Sequence, residues 1–423
     1  MDLAKKILNG VSISKPPRKF LLTLFTTILV VRGKIHFRNL SRYSDLSEKT
    51  YSRQFAKAFD AISFNRALIN ETIGTESERI VAFDPSFIPK AGKQTYGRDF
   101  FWNGAHSRSE KGLEISTFAI IDVTRNTGFA LSVQQTDPHP ASEVSFPEEK
   151  TDTPSGKKAG TSSEETLIDD YLQHLSAVQP SLLEIEKHVV VDGAFAQKKW
   201  IDGVEVVDLH TVGKLRQDAD MRYFYTGPKR EKGSGRQKTY DGKVDGQDLR
   251  RFHYVAYQDG IEIYNLVLNH VSLKRTLRVV VLLDVRDPEK RRYVILFSTD
   301  TDLDALTLYR YYKARYQIEF LFRDAKPFTG LTHCQARDAD RLHFYFNASL
   351  TTLNIAQAER LQAQDHASPI VYSIASVKAC FFNEHYLQVI SSKLGLDLSS
   401  IKNSPQYQAL RSSLKTRRSV ERT

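Results

Sequence analysis

Two aspartates in the first half of the chain have nearly the same surroundings. Asp84 follows the apolar residues 80–83 and precedes a proline, and Asp192 follows residues 188–191 and precedes a glycine. Such short apolar runs predict buried strands, and α/β sheets bind ligands at the carboxyl ends of their strands. Aspartate also begins turns for conformational reasons alone. Each aspartate taken singly is therefore compatible with a site or with a turn.

A third acid stands in a helical pattern over residues 303–326. Tyr312, Arg315, Glu319 and Lys326 have the spacing Tyr-x2-Arg-x3-Glu-x6-Lys. At about 100° per residue they fall within one stripe about 60° wide. A separate apolar face is predicted to pack on the core; it comprises Tyr311, Ala314, Ile318, Leu321 and Ala325. A surface helix with an Arg315–Glu319 ion pair would explain two residues of the stripe but not all four.

The composition favours a polyanionic partner. The formal net charge is +10, and basic residues gather at 214–251, 291–292 and 415–418, with Tyr and Phe among them in the first two stretches. This combination suits phosphate contacts and base stacking, although a solvated basic surface would look similar. The apolar run at 20–31 is too short to span a membrane. Two cysteines without metal-ligand spacing favour neither a disulfide framework nor a zinc site, and we expect a cytoplasmic protein.

The residue patterns predict which helices and strands position these residues. Residues 1–75 read as helices, with an apolar helix at 21–31, a short helix at 37–44 and a second at 47–56 whose N-cap is Ser47. This pair resembles a helix-turn-helix that would use Arg53 and Gln54 on DNA; an ordinary helical hairpin is the alternative. Residues 136–165 read as a polar loop and 165–175 as a helix, and the helix at 303–326 is predicted to stop before Pro327. The predicted strands are 80–83, 115–123, 129–135 (after a turn at 126–128), 188–191, 204–212, 252–257, 261–268, 277–284 and 293–298.

The stripe matches the YREK signature of the fourth insertion-sequence family of DDE transposases. Three further segments resemble that family: Asp84-Pro85-Ser86 with residues 92–97, residues 191–195, and residues 213–223. The resemblance covers roughly residues 35–380. It is specific because the four-residue signature stands in register with both aspartate segments.

The resemblance implies an α/β fold with an RNase H-like catalytic core, interrupted by a β-rich insertion, between an N-terminal helical DNA-binding domain and C-terminal helices. The corresponding boundaries are 1–75 for the helical domain, 76–215 and 301–380 for the two parts of the core, 216–300 for the insertion, and 381–423 for the helical and basic tail. It also implies a bacterial protein, associated with the nucleoid when bound to DNA. The partners would be terminal inverted repeats and target DNA, both double-stranded, with a homodimer in the synaptic complex and no membrane.

The resemblance also assigns chemistry. Asp84, Asp192 and Glu319 would be the catalytic residues and ligands of two Mg²⁺ ions, with Mn²⁺ as a substitute, because oxygen-only donors suit these cations. Tyr312, Arg315 and Lys326 would hold DNA phosphates. Further backbone contacts are expected from Lys214, Arg216 and Arg222, and Tyr293 would stack on a flipped base if a hairpin forms.

Two other functions stay open at this point. A nuclease on the same core would cut DNA without joining it, and a transposase-derived DNA-binding protein would have lost the chemistry. The complete set of three acids argues against the second. A basic RNA-binding protein would leave the two aspartates and the stripe unexplained.

Overall fold

The computed structural model describes residues 1–11, 15–74, 76–137, 166–182, 187–228, 236–287, 292–364, 373–397 and 401–413. The expected polar loop at 136–165 lies almost wholly outside these ranges, as does the basic tail at 415–418. Among the described helices, none is long and apolar enough to cross a membrane.

One mixed sheet of twelve strands organises the fold. Its strands run in the order β2-β3-β1-β5-β6-β12-β11-β10-β7-β8, with β4 beside β3 and β9 beside β10. Among the described strands, β1–β5 and β5–β6 are the parallel pairs, and the other pairs are antiparallel. The strands are β1 (Arg79–Pro89), β2 (Asp99–Asn103), β3 (Arg108–Asp122), β4 (Thr127–Gln135), β5 (His188–Val190), β6 (His210–Leu215), β7 (Met221–Phe224), β8 (Tyr240–Lys243), β9 (His253–Gln258), β10 (Ile261–His270), β11 (Arg275–Asp284) and β12 (Arg292–Ser298).

Helices cover both faces of the sheet, which makes the fold mixed α/β. The described helices are α1 (Asp2–Gly10), α2 (Lys15–Val30), α3 (Phe37–Leu40), α4 (Glu48–Phe55), α5 (Ala61–Ile73), α6 (Leu167–Leu182), α7 (Lys198–Val206), α8 (Ala305–Ala314), α9 (Gln317–Asp324), α10 (Ala339–Gln364), α11 (Ile374–Lys393) and α12 (Pro405–Ser412). A 3₁₀ turn (Gly193–Phe195) and a π turn (Ala325–Thr329) complete the set.

Most of the predicted elements are confirmed. The strand predictions at 115–123 and 129–135 and the four between 252 and 298 coincide with β3, β4 and β9 to β12. The N-cap at Ser47 is also confirmed, because its hydroxyl accepts a hydrogen bond from the Thr50 N–H at 3.2 Å. The sequence analysis missed β2, β7 and β8, which are strands of only four or five residues.

Three boundaries were wrong. The strand expected at 204–212 is the end of α7 followed by β6, because residues 198–206 bury one helical face that includes Trp200 and Val204. The helix expected at 37–44 ends at Leu40, where the Ser44 hydroxyl donates to the Leu40 carbonyl at 3.2 Å. The helix at 303–326 is also interrupted, as described with the site below.

α10 runs through the interior and covers the outer edge of β4. A bulge in β4 near Leu131 shifts its pairing with β3. The side chain of Asn354 on α10 accepts from the Ala130 N–H at 2.9 Å and donates to the Ala130 carbonyl at 2.7 Å. Asn65 of α5 donates to the Leu131 carbonyl at 3.2 Å. Buried amides therefore replace a neighbouring strand at this edge.

The N-terminal helices share their hydrophobic core with α10 and with one face of the sheet. Buried residues of α2 and α4, such as Leu24 and Phe55, belong to the same cluster as Phe344 of α10 and Ala82 of β1. The opposite face of the sheet packs a second cluster that includes Trp200.

Candidate active site

Asp84 lies inside β1, not at its end as the sequence analysis expected. The antiparallel pairing of β1 with β3 continues to Pro89, whereas its parallel pairing with β5 stops at Ala82. Beyond Ala82 the strand is therefore paired on one side only, which also accommodates Pro85. Asp84 thus lies where the neighbouring strand has ended and one edge of β1 is free for a ligand.

Asp192 lies at the corresponding point of the neighbouring strand. The last parallel pair joins Ala82 to Val190, so each aspartate is two residues beyond it. The Asp192 carboxylate caps the 3₁₀ turn that follows, since Oδ1 accepts from the Ala194 N–H at 2.8 Å. This bond fixes its direction.

Glu319 is presented by a helix that bends twice. Between α8 and α9 the Ile318 and Glu319 N–H groups donate to Arg315 and Tyr316 carbonyls in 3₁₀ fashion, at 3.0 and 3.1 Å. The helical path then passes the predicted stop at Pro327, because a π turn with a hydrogen bond from the Gly330 N–H to the Ala325 carbonyl accommodates a residue that cannot donate. The predicted apolar face is buried.

Arg315 connects the acids. Its Nη2 donates to Glu319 Oε1 at 2.9 Å, and its Nη1 lies 4.0 Å from Asp84 Oδ1. The Arg315 side chain is only 6% exposed, while that of Glu319 is 45% exposed. The guanidinium also lies 4.9 Å from the Tyr316 ring centre and 5.8 Å from that of Tyr312. A buried cation thus lies between the strand acid and the helix acid.

The charges of this group interact. Burial raises the pKa of Asp84 to about 7; Arg315 opposes this shift, while Asp192 and Glu319 increase it. Burial lowers the pKa of Lys326, and the charge of Asp84 opposes that shift. The site therefore has more negative charge than its own cations neutralise once all its acids ionise.

The phenol of Tyr312 interacts electrostatically with the same charged residues. Burial raises the pKa of Tyr312 to about 12; Arg315 opposes the shift, whereas the charges of Asp192 and Glu319 contribute to it. The phenol therefore stays protonated at neutral pH and can donate a hydrogen bond. The structure brings together all seven members of this group: Asp84, Asp192, Glu319, Arg315, Tyr312, Tyr316 and Lys326.

The donor set fits a hard divalent cation in its chemistry. It contains carboxylate oxygens and neither histidine nor cysteine, and Asp84 is held in an environment that an added positive charge would relieve. The side chains do not form a ready-made cage: among the described residues, no group of three or more His, Cys, Asp or Glu side chains is close enough to hold a metal ion. Arg315 engages the Glu319 carboxylate instead.

Two residues near the site were missed by the sequence analysis. Glu114 of β3 is 5% exposed, accepts from the Tyr171 hydroxyl at 2.6 Å, and contributes to the raised pKa of Asp84. A glutamate directly between apolar residues of a strand was the available signal. Tyr316, which stacks near Arg315, carried no signal because one more tyrosine in this helix looks like surface.

The three residues predicted to contact the DNA backbone follow Asp192 in the chain, on β6, directly after it and on β7. Lys214 is exposed on β6, and its main chain packs 3.4 Å from the space that a side chain on Gly193 would fill. Arg216 pairs with Asp218 at 3.0 Å, and Arg222 lies 3.4 Å from Asp220. Both arginines are thus engaged by local carboxylates, and a role for the three residues on DNA stays a prediction.

The remaining predicted residues lie on β12 and α4. Tyr293 is the second residue of β12 and packs beside Gly246, on the sheet face opposite to α8. Arg53 is exposed and Gln54 half-buried on α4, whose other face is buried through Tyr51 and Phe55. Their roles in base stacking and DNA reading also stay predictions.

Residues 155–355 match the family model described as the transposase DDE domain. The match includes Asp192, Glu319 and the tyrosine–arginine–lysine stripe, whereas Asp84 lies before it. No curated protein matches the chain. The match supports a DDE transposase, and with it a nucleic-acid-processing enzyme; such domains generally use divalent metal ions. The mixed α/β sheet is compatible with the core of such an enzyme.

Proposed function

We propose that the chain is a transposase of the fourth insertion-sequence family, with an RNase H-like core, that cleaves the ends of an insertion sequence and joins them to target DNA. One observation carries the proposal. Asp84, Asp192 and Glu319, which come from separate parts of the chain, lie within one electrostatic group around buried Arg315. A turn-forming role for the aspartates would not require this grouping.

The three acids would hold Mg²⁺, with Mn²⁺ as a substitute. Bound ions would lower the pKa of a nucleophilic water and neutralise charge on the attacked phosphate. The chain prepares the site by aiming Asp192 through the Ala194 N–H and by burying Asp84 on a strand paired on one side. Arg315 compensates the carboxylates before a ligand arrives.

The same arginine would serve the substrate. Its Nε is buried and has no hydrogen-bond partner among the described residues, so the guanidinium has unused donor capacity beside the acids. A guanidinium can hold a phosphate with two parallel hydrogen bonds. Tyr312 would donate its phenol proton to a phosphate oxygen, and Lys326 would supply a point charge.

In the proposed reaction, water first hydrolyses a phosphodiester at each element end and frees a 3′ hydroxyl. That hydroxyl then attacks a phosphodiester of target DNA in the same site, which forms a new phosphodiester bond and releases a 3′ hydroxyl on the target strand. We infer that the DNA backbone also contacts Lys214, Arg216 and Arg222, that Arg53 and Gln54 read the terminal repeats, and that two copies of the chain pair the ends. Tyr293 would stack on a flipped base if cleavage passes through a hairpin.

A cleavage-and-joining assay tests the proposal. Purified protein is given Mg²⁺ and linear DNA carrying the ends of its own element, beside a Glu319→Gln variant. We expect nicking at the element boundary and strand joining by the wild type. The variant should lose at least about a hundredfold in rate, because it loses a metal-binding charge while keeping its shape.

The matched control is Glu71→Gln. The Glu71 side chain is 41% exposed, close to the 45% of Glu319, but it lies on α5 and pairs with Lys6; its rate should be unchanged. DNA binding without cutting by the wild type would instead favour a transposase-derived DNA-binding protein. Cutting without joining would favour a nuclease.

A further inference from the structure

A cleft of about 550 Å³ opens beside the end of β1, at residues that the proposed reaction does not use. One wall is the loop after β1, including Lys90, Gly92 and Thr95. The other is the segment 332–337 between the π turn and α10, and Lys34 closes one end. The volume is sufficient for a ligand of nucleotide size.

Hydrogen bonds between the walls hold the cleft open. The Lys90 ammonium donates to the carbonyl groups of Cys334, at 2.5 Å, and Ala336, at 3.0 Å. The Tyr96 N–H donates to the Arg337 carbonyl at 2.8 Å. The Ile35 N–H donates to the His333 ring at 3.1 Å, which fixes the end near Lys34. The cleft is thus built by three separate parts of the chain.

The lining of the cleft is cationic. It contains three cations, Lys34, Lys90 and Arg337, beside the ring of His333, whose pKa is lowered by burial, and it contains no aspartate or glutamate. Within the described part of the chain, neither Lys34 nor Arg337 forms an ion pair with a carboxylate, and both are exposed. The charges affect one another, because Arg337 contributes to the lowered pKa of Lys90 and Lys34 to that of His333, after burial in each case. An anion would relieve this repulsion.

A buried hydroxyl in the lining points to a ligand independently of the charges. Thr95 is 6% exposed, and its Oγ1 has no hydrogen-bond partner among the described residues. Gly92 leaves this oxygen free, because a side chain there would approach it to 2.9 Å. A buried polar atom without a partner is costly, and an oxygen-rich ligand would satisfy it.

We propose that this cleft binds a phosphate group of the DNA backbone on the flank of the cleaved site. Pro89 lies five residues beyond Asp84 on β1, which corresponds to about 16 Å along a strand. Because Pro89 also lines the cleft, a phosphate bound there would lie on the order of 16 Å from Asp84. Its place on the flank of the cleaved site rests on the proposed function, whereas the binding of a phosphate does not.

Salt-dependent binding tests the inference. Anisotropy of a labelled duplex is measured without divalent metal between about 50 and 200 mM salt. Arg337→Gln should reduce the magnitude of the slope of log K against log salt by up to about 0.9, the contribution of one phosphate, and the double variant with Lys34→Gln should lose about 0.9 in total. Lys274→Gln, which removes an exposed charge in the turn between β10 and β11, is the matched control and should leave the slope unchanged. Unchanged slopes in both cleft variants would overturn the inference.

The hydroxyl gives a second, charge-independent test. Thr95→Val should weaken duplex binding about two- to tenfold, while the unfolding midpoint stays unchanged or rises because a buried hydroxyl without a partner among the described residues is removed. Thr211→Val removes another buried hydroxyl without a partner among the described residues, far from the cleft in β6, and should leave affinity unchanged. Equal affinity for Thr95→Val and the wild type would count against the cleft as a phosphate site.

Competition separates the two sources of phosphate. If inorganic phosphate titrates the wild type but not Arg337→Gln, while the duplex slopes stay equal, the cleft takes a free anion and the DNA assignment fails. If the variants lose slope but the wild type never cuts DNA, the cleft assignment stands and the proposed function fails. A wild type that binds no duplex would overturn both.

Discussion

The charge near Asp84 depends on pH because a second buried acid, Glu114, lies close to it. Glu114 is a residue of β3. Burial raises its pKa to about 7, and the hydrogen bond from Tyr171 opposes the shift. An acid whose pKa is raised by folding stabilises the native state fully below its unfolded pKa. This contribution is lost as the pH rises through the folded pKa.

We therefore expect Glu114→Gln to stabilise the protein more as the pH rises from about 5 to 8. The amide oxygen can still accept a hydrogen bond from the Tyr171 hydroxyl, while the free-energy cost of a buried carboxylate disappears. The gain above neutral pH should be on the order of 3 kcal/mol, measured as the free energy of unfolding in urea at several pH values.

Glu262→Gln is the matched control. This half-buried carboxylate also accepts from a tyrosine hydroxyl, that of Tyr264 at 2.8 Å, but water reaches it. A gain that is the same at all pH values for Glu114→Gln would contradict the expectation.

At the scale of elements, the Asn354 side chain of α10 makes hydrogen bonds to the main chain of β4 that a neighbouring strand would otherwise make. Asn354 makes three hydrogen bonds at the β4 edge, two to Ala130 and one to Asn65. Removing its amide leaves all three partners buried and unsatisfied.

Asn354→Leu should therefore destabilise the protein by roughly 3 kcal/mol or more. Gln357→Leu, one turn further along α10, is the control: Gln357 is 9% exposed and its Oε1 has no partner among the described residues. That substitution should be neutral or stabilising. Thermal or urea unfolding of the two variants distinguishes them, and equal effects would show that the edge does not need its amides.

Sequence patterns predicted the elements around the acids better than their ends. The apolar periodicity of residues 311–325 identified the buried face because burial follows side-chain spacing. The break at Tyr316 precedes α9, which packs against β1 and β4, and the π turn at Pro327 packs against α10 and α11. No local pattern records these contacts. Likewise, the end of β1 is set by its pairing with β3 and not by Pro85.

The site itself could be predicted only in part. Residue type and spacing selected Asp84, Asp192 and Glu319, because few roles explain three such acids together. That Arg315 would be buried between two of them, and that Glu114 would lie close by, depends on the tertiary arrangement of strands distant in sequence.

For the whole molecule, the shared core makes the N-terminal helices part of one cooperative unit with the sheet. Leu24 of α2 is fully buried in the cluster that also contains α10 and β1 residues. Residues 1–75, which the sequence analysis separated as a DNA-binding domain, are thus in contact with α10 and β1 through apolar side chains.

Leu24→Ala should lower the free energy of unfolding by about 2–5 kcal/mol. The sheet should then unfold at the same lowered midpoint as the helices. Trp200, buried on the opposite face, reports on the sheet by fluorescence in a Trp102→Phe background, and circular dichroism reports on the helices. Both transitions should move together. A helical transition that moves alone would show that residues 1–75 fold independently.

The wide separation of the three acids along the chain has a consequence for the newly made protein. Asp84 and Asp192 leave the ribosome well before Glu319, and at about 5–20 residues per second the interval is on the order of ten seconds. Arg315 emerges with Glu319, so neither the third acid nor its counter-charge exists until α9 is synthesised. A nascent chain that ends before α9 therefore holds the two aspartates without the third acid of the proposed site, and the proposed site can form only after α9 has been synthesised.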